Sequence, residues 1–222
     1  MSRITKADFY RLKGEGYELY DPEAMVRYQN VLRWISLRDG IAIREVGCKY
    51  AVLRDILAKR ALRADYVAVD IDAETLKKIP GFNERQFICH DVNEGLPFED
   101  SSADYLVCLE VLEHLENATA FLEEAKRVLR QRGRLIVSVP NPYSWMEWLA
   151  NLRRFGDTEG HVATYTHQNI DALMKFSGLV VRDVMGTFTR VPFSRRLSGR
   201  YFLLRTNRML LTRSFMYLIE KP

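Results

Sequence analysis

Ile41-Ala42-Ile43-Arg44-Glu45-Val46-Gly47-Cys48-Lys49-Tyr50-Ala51 reads as an apolar run of strand length that ends on a glycine turn and leads into a helical pattern over Tyr50 to Arg60. A buried strand followed by a tight turn and a helix is the opening of a βαβ unit, and the pattern repeats downstream. Strands are expected near Ile41 to Val46, Tyr66 to Asp70, Gln86 to His90, Tyr105 to Leu109, Arg134 to Val139, Leu179 to Met185 and Ser214 to Glu220. Helical patterns over Tyr50 to Arg60, Ala73 to Lys78, Ala118 to Arg130 and Gln168 to Phe176 alternate with them, the third with a core-facing stripe of Phe121, Leu122, Ala125, Val128 and Leu129. The fold class is therefore α/β: a doubly wound, seven-stranded, mostly parallel sheet.

Upstream, Pro22 to Leu37 makes an amphipathic helix after a lead containing Tyr10, Tyr17 and Tyr20, so residues 1–38 are read as an N-terminal helical cap. Two insertions interrupt the alternation, 142–166 and 189–213. In the first, Trp145, Met146, Trp148 and Leu149 suggest a helical lid packing on the core. In the second, Leu197, Tyr201, Leu204 and Leu211 with Arg196, Arg200 and Arg208 suggest an amphipathic helix or a pair of them. No internal repeat or linker divides the chain, so residues 1–222 are read as a single domain.

A chain of 222 residues with 47% hydrophobic and 28% charged residues can bury a substantial core. The first ten residues mix charge and polarity where a signal peptide would be apolar, and no uninterrupted apolar run has the length of a membrane span, so a soluble cytoplasmic protein is expected. Cys48, Cys89 and Cys108 lie far apart without metal-ligand spacing and are read as small core residues. The net charge of +4 is local: 189–213 carries Arg190, Arg195, Arg196, Arg200, Arg205, Arg208 and Arg213 and no acid. Such a segment can attract an anionic substrate or a membrane surface; nucleic acid is the less expected partner, and nothing in the sequence specifies an oligomeric state.

Parallel sheets bind ligands beyond the carboxyl ends of their strands. After the first strand come Glu45 and Gly47, the glycine allowing close approach of backbone to a ligand. After the second comes Asp70, 23 residues beyond Gly47, where a carboxylate can accept both hydroxyls of an adenosine ribose. Cys89-His90-Asp91-Val92 follows the third strand and Leu109-Glu110-Val111-Leu112-Glu113-His114 the fourth. Asp70 and Asp91 could instead serve only as helix N-caps, and the turn lacks the three glycines of a nicotinamide-binding fingerprint.

These stretches together resemble the class I S-adenosylmethionine-dependent methyltransferases, specifically the type 11 branch that includes quinone-biosynthesis enzymes. The resemblance runs from about Ile41 to Val181. It is carried by Asp91-Val92-Asn93-Glu94-Gly95-Leu96-Pro97-Phe98-Glu99-Asp100, by Ala103-Asp104-Tyr105, by Leu109 to Leu115 and by Arg127 to Asn141. It implies a methyltransferase domain with an antiparallel last strand and S-adenosyl-L-methionine as cofactor, with no metal. By resemblance, Glu45 and Gly47 line the methionine end, Asp70 holds the ribose, Asp91 accepts from the adenine amino group with Ile71 and Val92 packing on the ring, and Glu110 lies near the sulfonium.

Gly160-His161-Val162 and Tyr165-Thr166 also match, which makes His161 a candidate general base over the acceptor pocket, weighed against a purely structural contact. His114 is read as a structural hydrogen-bonding residue. Lys49 and Ala51 stand where the family pattern favours glycine, and the Ala51 methyl is expected near the cofactor path. The implied activity is methyl transfer to a small-molecule acceptor, lipid-linked or carbohydrate. A degenerate fold acting as a binding or regulatory subunit and an RNA- or protein-directed enzyme are the alternatives.

Overall fold

Strand β1 (Ala42–Val46) is buried at every residue, as a central strand of a parallel sheet must be when helices cover both faces. In this computed structural model, which describes residues 5, 6, 8, 9, 21–60, 62–152, 159–191 and 202–222, β1 lies between β2 (Asp65–Asp70) and β4 (Ala103–Leu109), parallel to both. The remaining strands are β3 (Phe87–Cys89), β5 (Leu129–Pro140), β6 (Val180–Gly186), β7 (Phe188–Arg190), β8 (Leu203–Arg205) and β9 (Ser214–Glu220). The main sheet has seven strands in the order β3-β2-β1-β4-β5-β9-β6, with β9 antiparallel to both its neighbours. The expected sheet, including its antiparallel last strand, is the one observed.

Side-chain parity divides the core into two layers. Ile41, Ile43, Tyr66, Ala68 and Val107 face helices α1 (Pro22–Trp34), α2 (Val52–Lys59) and α3 (Ala73–Lys77). Val46, Val69, Leu106, Cys108 and Val137 face α4 (Ala118–Val128) and α6 (His167–Phe176). The chain reverses its direction of winding between β1 and β4, so the loops leaving these strands diverge and open a crevice.

Several boundaries differ from the sequence expectation. Helix α4 stops at Val128 rather than Arg130, and β5 starts at Leu129 rather than Arg134, because buried Leu129 pairs with Ala103. An irregularity opposite Ala103 and Tyr105 accommodates the polar stretch that follows. There Arg132 has φ +62°, and a Cβ on Gly133 would meet the Arg130 and Ala103 carbonyl oxygens at 2.8 and 3.1 Å. Cys48 and Cys108 are buried as expected, but Cys89 is exposed at the end of its edge strand.

In the first insertion α5 (Trp145–Leu152) forms, yet Trp145 and Trp148 are exposed, the latter at 64%, so the helix does not pack its tryptophans on the core. In the second, the described part is not helical: β7 and β8 pair antiparallel, with Leu204 in β8 and Leu211 in a turn. Short apolar runs broken by arginine do not settle helix against strand, and the pairing of Thr189 with Leu204 selects the strand. Arg195, Arg196, Leu197, Arg200 and Tyr201, like Tyr10, Tyr17 and Tyr20, lie outside the described residues.

Candidate functional site

The crevice at the carboxyl ends of β1, β2, β3 and β4 holds a cavity of about 620 Å³, within the range of small-molecule sites. Its wall includes Gly47, Asp70, Ile71, Asp91, Val92, Glu110 and His161 from the sequence-derived set.

Each of these is placed by local backbone chemistry. Gly47 has φ +73° and donates its N–H to Val69 O at 2.9 Å, which ties the β1 turn to β2; a Cβ here would run into Val111 Cγ2. Asp70 Oδ2 accepts from Lys49 N at 2.8 Å and Oδ1 from Asp72 N at 3.0 Å. Each carboxylate oxygen thus keeps acceptor capacity toward the cavity. The helix N-cap is Asp72, whose side chain accepts from Glu74 N and Thr75 N, so Asp70 is not the cap. Burial raises the Asp70 carboxyl above its usual range, opposed by the two backbone N–H groups. Asp91 does both things its position allowed: it caps the turn at Val92–Glu94, accepting from Asn93 N at 3.0 Å, and it faces the cavity.

Glu110 adopts φ +53°, and Ser138 Oγ both accepts from its N–H at 3.0 Å and donates to its Oε1 at 2.6 Å. This clamp fixes the carboxylate at the cavity wall. His161 comes from the distant Gly160–Ala163 segment, which docks on the turn after β4. Val162 and Ala163 donate to Glu113 O at 2.9 and 3.1 Å, and His114 Nδ1 bonds Gly160 O at 3.1 Å. The His114 and His161 rings lie 4.9 Å apart, and His161 Nε2 is 3.5 Å from Glu159 Oε2. Burial lowers the His114 pKa, and the His161 ring beside it acts in the same direction.

Glu45 is placed differently from expectation. It shares the Ile43 face of β1, under α1, and its carboxylate is buried away from the cavity wall. Tyr28 Oη donates to Oε1 at 2.8 Å and the Tyr66 hydroxyl donates to Oε2. Tyr28, not Glu45, reaches the cavity. Ala51 also departs from expectation: it is fully buried in the layer beneath α2, so its methyl group is not on the cavity wall. The glycine preference at these positions is conformational, for Lys49 (φ +47°) and Ala51 (φ +54°) both occupy the left-handed region.

That region costs an L residue about 1–2 kcal/mol, part of which glycine forfeits through its freer unfolded chain. Lys49→Gly is accordingly expected to raise stability by about 0.5–1 kcal/mol in thermal or chemical denaturation. A loss would mean that the Lys49 side chain, whose Nζ lies 5.8 Å from the Tyr50 ring centroid, contributes more than the strain.

Sequence reading did not identify Tyr28, Arg27 or Glu113 as cavity residues. Glu113 is 1% exposed, neither carboxylate oxygen has a hydrogen-bond partner among the described residues, and burial and the nearby Glu110 charge push its pKa well up. The one signal available was its place three residues after Glu110, between apolar Leu112 and His114.

The profile of a family described as Methyltransferase domain matches residues 44–137. A Mycolicibacterium smegmatis protein named "Probable S-adenosylmethionine-dependent methyltransferase" is 30% identical over 164 residues, 73% of this chain and 60% of its own length. The Ubiquinone biosynthesis O-methyltransferase of Pseudomonas savastanoi pv. phaseolicola is 24% identical over 210 residues, covering 84% of this chain and 88% of that protein. The chain spans only 40% to 60% of the length of the mycobacterial relatives it matches. Among solved structures, a SAM-dependent methyltransferase from Aquifex aeolicus superposes with a TM-score of 0.62 at 16% identity, covering 99% of this chain and 100% of that one. At that identity the likeness concerns the fold.

Proposed function

We propose that this chain, whose residues 44–137 match a methyltransferase-domain family and which is similar to S-adenosylmethionine-dependent methyltransferases, transfers a methyl group to a small-molecule acceptor. The family and its fold imply S-adenosylmethionine as the cofactor. The residues present fit it: Gly47 leaves open a space that a Cβ would close against Val111, and Asp70 keeps acceptor capacity on the cavity side. That Asp70, aimed from the end of β2 at the switch point, is the observation that carries the reading.

When bound, the cofactor supplies an activated methyl group on a sulfonium sulfur. The protein's part is binding, alignment and exclusion of water. Asp70 would accept the ribose hydroxyls and Asp91 the adenine amino group, with Ile71 and Val92 covering the ring. Glu110, held by Ser138, would place negative charge near the sulfonium, and His161 at the far wall would receive the acceptor's proton. Ala51 faces the core rather than the cavity, which removes the main motive for reading the fold as a degenerate binding subunit.

An anionic or lipid-linked acceptor is supported by the arginines at the wall. Arg190 and Arg213 are ion-paired with Glu23 and Glu147, whereas Arg27 has no ion pair among the described residues. Among the described residues no helix is long and apolar enough to cross a membrane, and we place the reaction in the cytoplasm.

Asp70→Ala tests the site. It should weaken S-adenosylhomocysteine binding in a calorimetric titration by on the order of 1.5–3 kcal/mol, the worth of charge-assisted hydrogen bonds. Denaturation of the same variant separates loss of ligand contact from loosening of the Lys49 turn. Unchanged affinity would remove Asp70 from the cofactor site.

A further inference from the structure

Glu113 presents the cavity with an uncompleted acceptor. It is 1% exposed, its two carboxylate oxygens have no hydrogen-bond partner among the described residues, and it lines the cavity wall. Buried polar groups are almost always bonded, and one left open at a cavity is completed by whatever enters. Its backbone carbonyl accepts from Val162 and Ala163, which ties Glu113 to the segment that carries His161. One side-chain ligand atom from each of Glu113, His114 and His161 lies within 4.8 Å of the others.

The electrostatics define what can complete it. Glu110 and Glu159 bring like charge to Glu113, opposed by the Glu113 backbone N–H and by Arg27. Another acceptor would be repelled; a hydrogen-bond donor or a cation is attracted. The clamped Glu110 lies three residues away and lines the same cavity.

We propose that Glu113 accepts a hydrogen bond from the acceptor's nucleophilic atom, which restricts acceptors to hydroxyl compounds and primary or secondary amines. The inference rests on the methyltransferase reading. In such an acceptor the lone pair on oxygen or nitrogen forms the new bond to the methyl carbon. The sulfur–methyl bond breaks with its electron pair on sulfur, and the O–H or N–H hydrogen, oriented by a Glu113 carboxyl oxygen, leaves as a proton to His161. Carbon nucleophiles, thioethers and tertiary amines offer no such hydrogen and are excluded.

The test uses small neutral probes in ligand-detected NMR on the full chain: phenol and benzyl alcohol against their methylated counterparts anisole and benzyl methyl ether, each with S-adenosylhomocysteine present. The hydrogen-bearing probes are expected to bind about tenfold more tightly than the methylated ones. The preference is expected to vanish in Glu113→Leu and to weaken in Glu113→Gln, which keeps one acceptor oxygen and serves if the leucine variant does not fold. A preference that survives in Glu113→Leu, or no preference in the unaltered protein, whether or not the probes bind, overturns the proposal. So does a stoichiometric divalent metal in the purified protein that disappears in Glu113→Gln, which would make this a cation site. Failure of the methyltransferase reading is visible separately, as absence of S-adenosylhomocysteine binding to the unaltered protein.

Discussion

Gly47→Ala is expected to abolish measurable S-adenosylhomocysteine binding and to lower stability by about 2–4 kcal/mol, more than any other single change at the cavity wall. Two independent costs combine. The backbone at φ +73° is in the left-handed region, and the new methyl would collide with Val111 Cγ2. Val111 belongs to the loop after β4, so relieving the collision pushes apart the two loops whose divergence forms the crevice. Gly47 also donates to Val69 O, and tilting its peptide would disturb the Lys49 N–H that holds Asp70. Chemical denaturation gives the stability and calorimetry the affinity. Adding Val111→Ala should recover the collision part and leave the conformational part, a coupling that a double-mutant cycle measures. Normal binding by Gly47→Ala would mean that the glycine is not at the ligand.

The fold was legible because parallel strands buried on both faces appear as short apolar runs between helical patterns, and Ser214–Glu220 coincides with its expected bounds. Reading failed where local pattern is degenerate. Arg130, Gln131 and Arg132 look like the end of a helix and a turn, and they belong to β5 because they bridge its paired residues Leu129 and Arg134 at a register shift. Site residues at strand ends were legible through the topology rule, which fixes Gly47, Asp70, Asp91 and Glu110 at one edge. It does not fix side-chain direction, and Glu45 lies one residue out of phase with Val46, on the face that α1 covers. Glu113 was invisible for another reason: its burial depends on the Gly160–Ala163 segment folding back across it, a contact no local pattern announces.

Glu45 gives the protein a pH dependence that its burial explains. Removal from water pushes its carboxyl from 4.5 up to about 7; the hydrogen bonds from Tyr66 and Tyr28 oppose this, and the Asp70 charge adds to it. A carboxyl raised in the folded state favours its neutral form, so the associated stability is fully present below pH 4.5 and is lost as pH rises toward 7. The loss is about 3 kcal/mol over that window. Glu45→Gln mimics the neutral form with nearly the same shape, and its amide oxygen can still accept from a tyrosine. Unfolding free energies of the two proteins should therefore be close near pH 4.5 and diverge as pH rises, the variant becoming more stable by about 3 kcal/mol above pH 7. A difference that does not change with pH would mean that Glu45 ionises as an ordinary carboxylate. Tyr28 joins this proton to the site: its ring lines the cavity from α1 while its hydroxyl is committed to Glu45. A carboxylate accepts more strongly than a neutral carboxyl, so ionisation tightens the Tyr28–Glu45 bond while the buried charge lowers global stability, and cofactor affinity in the folded protein should change little through the same pH window.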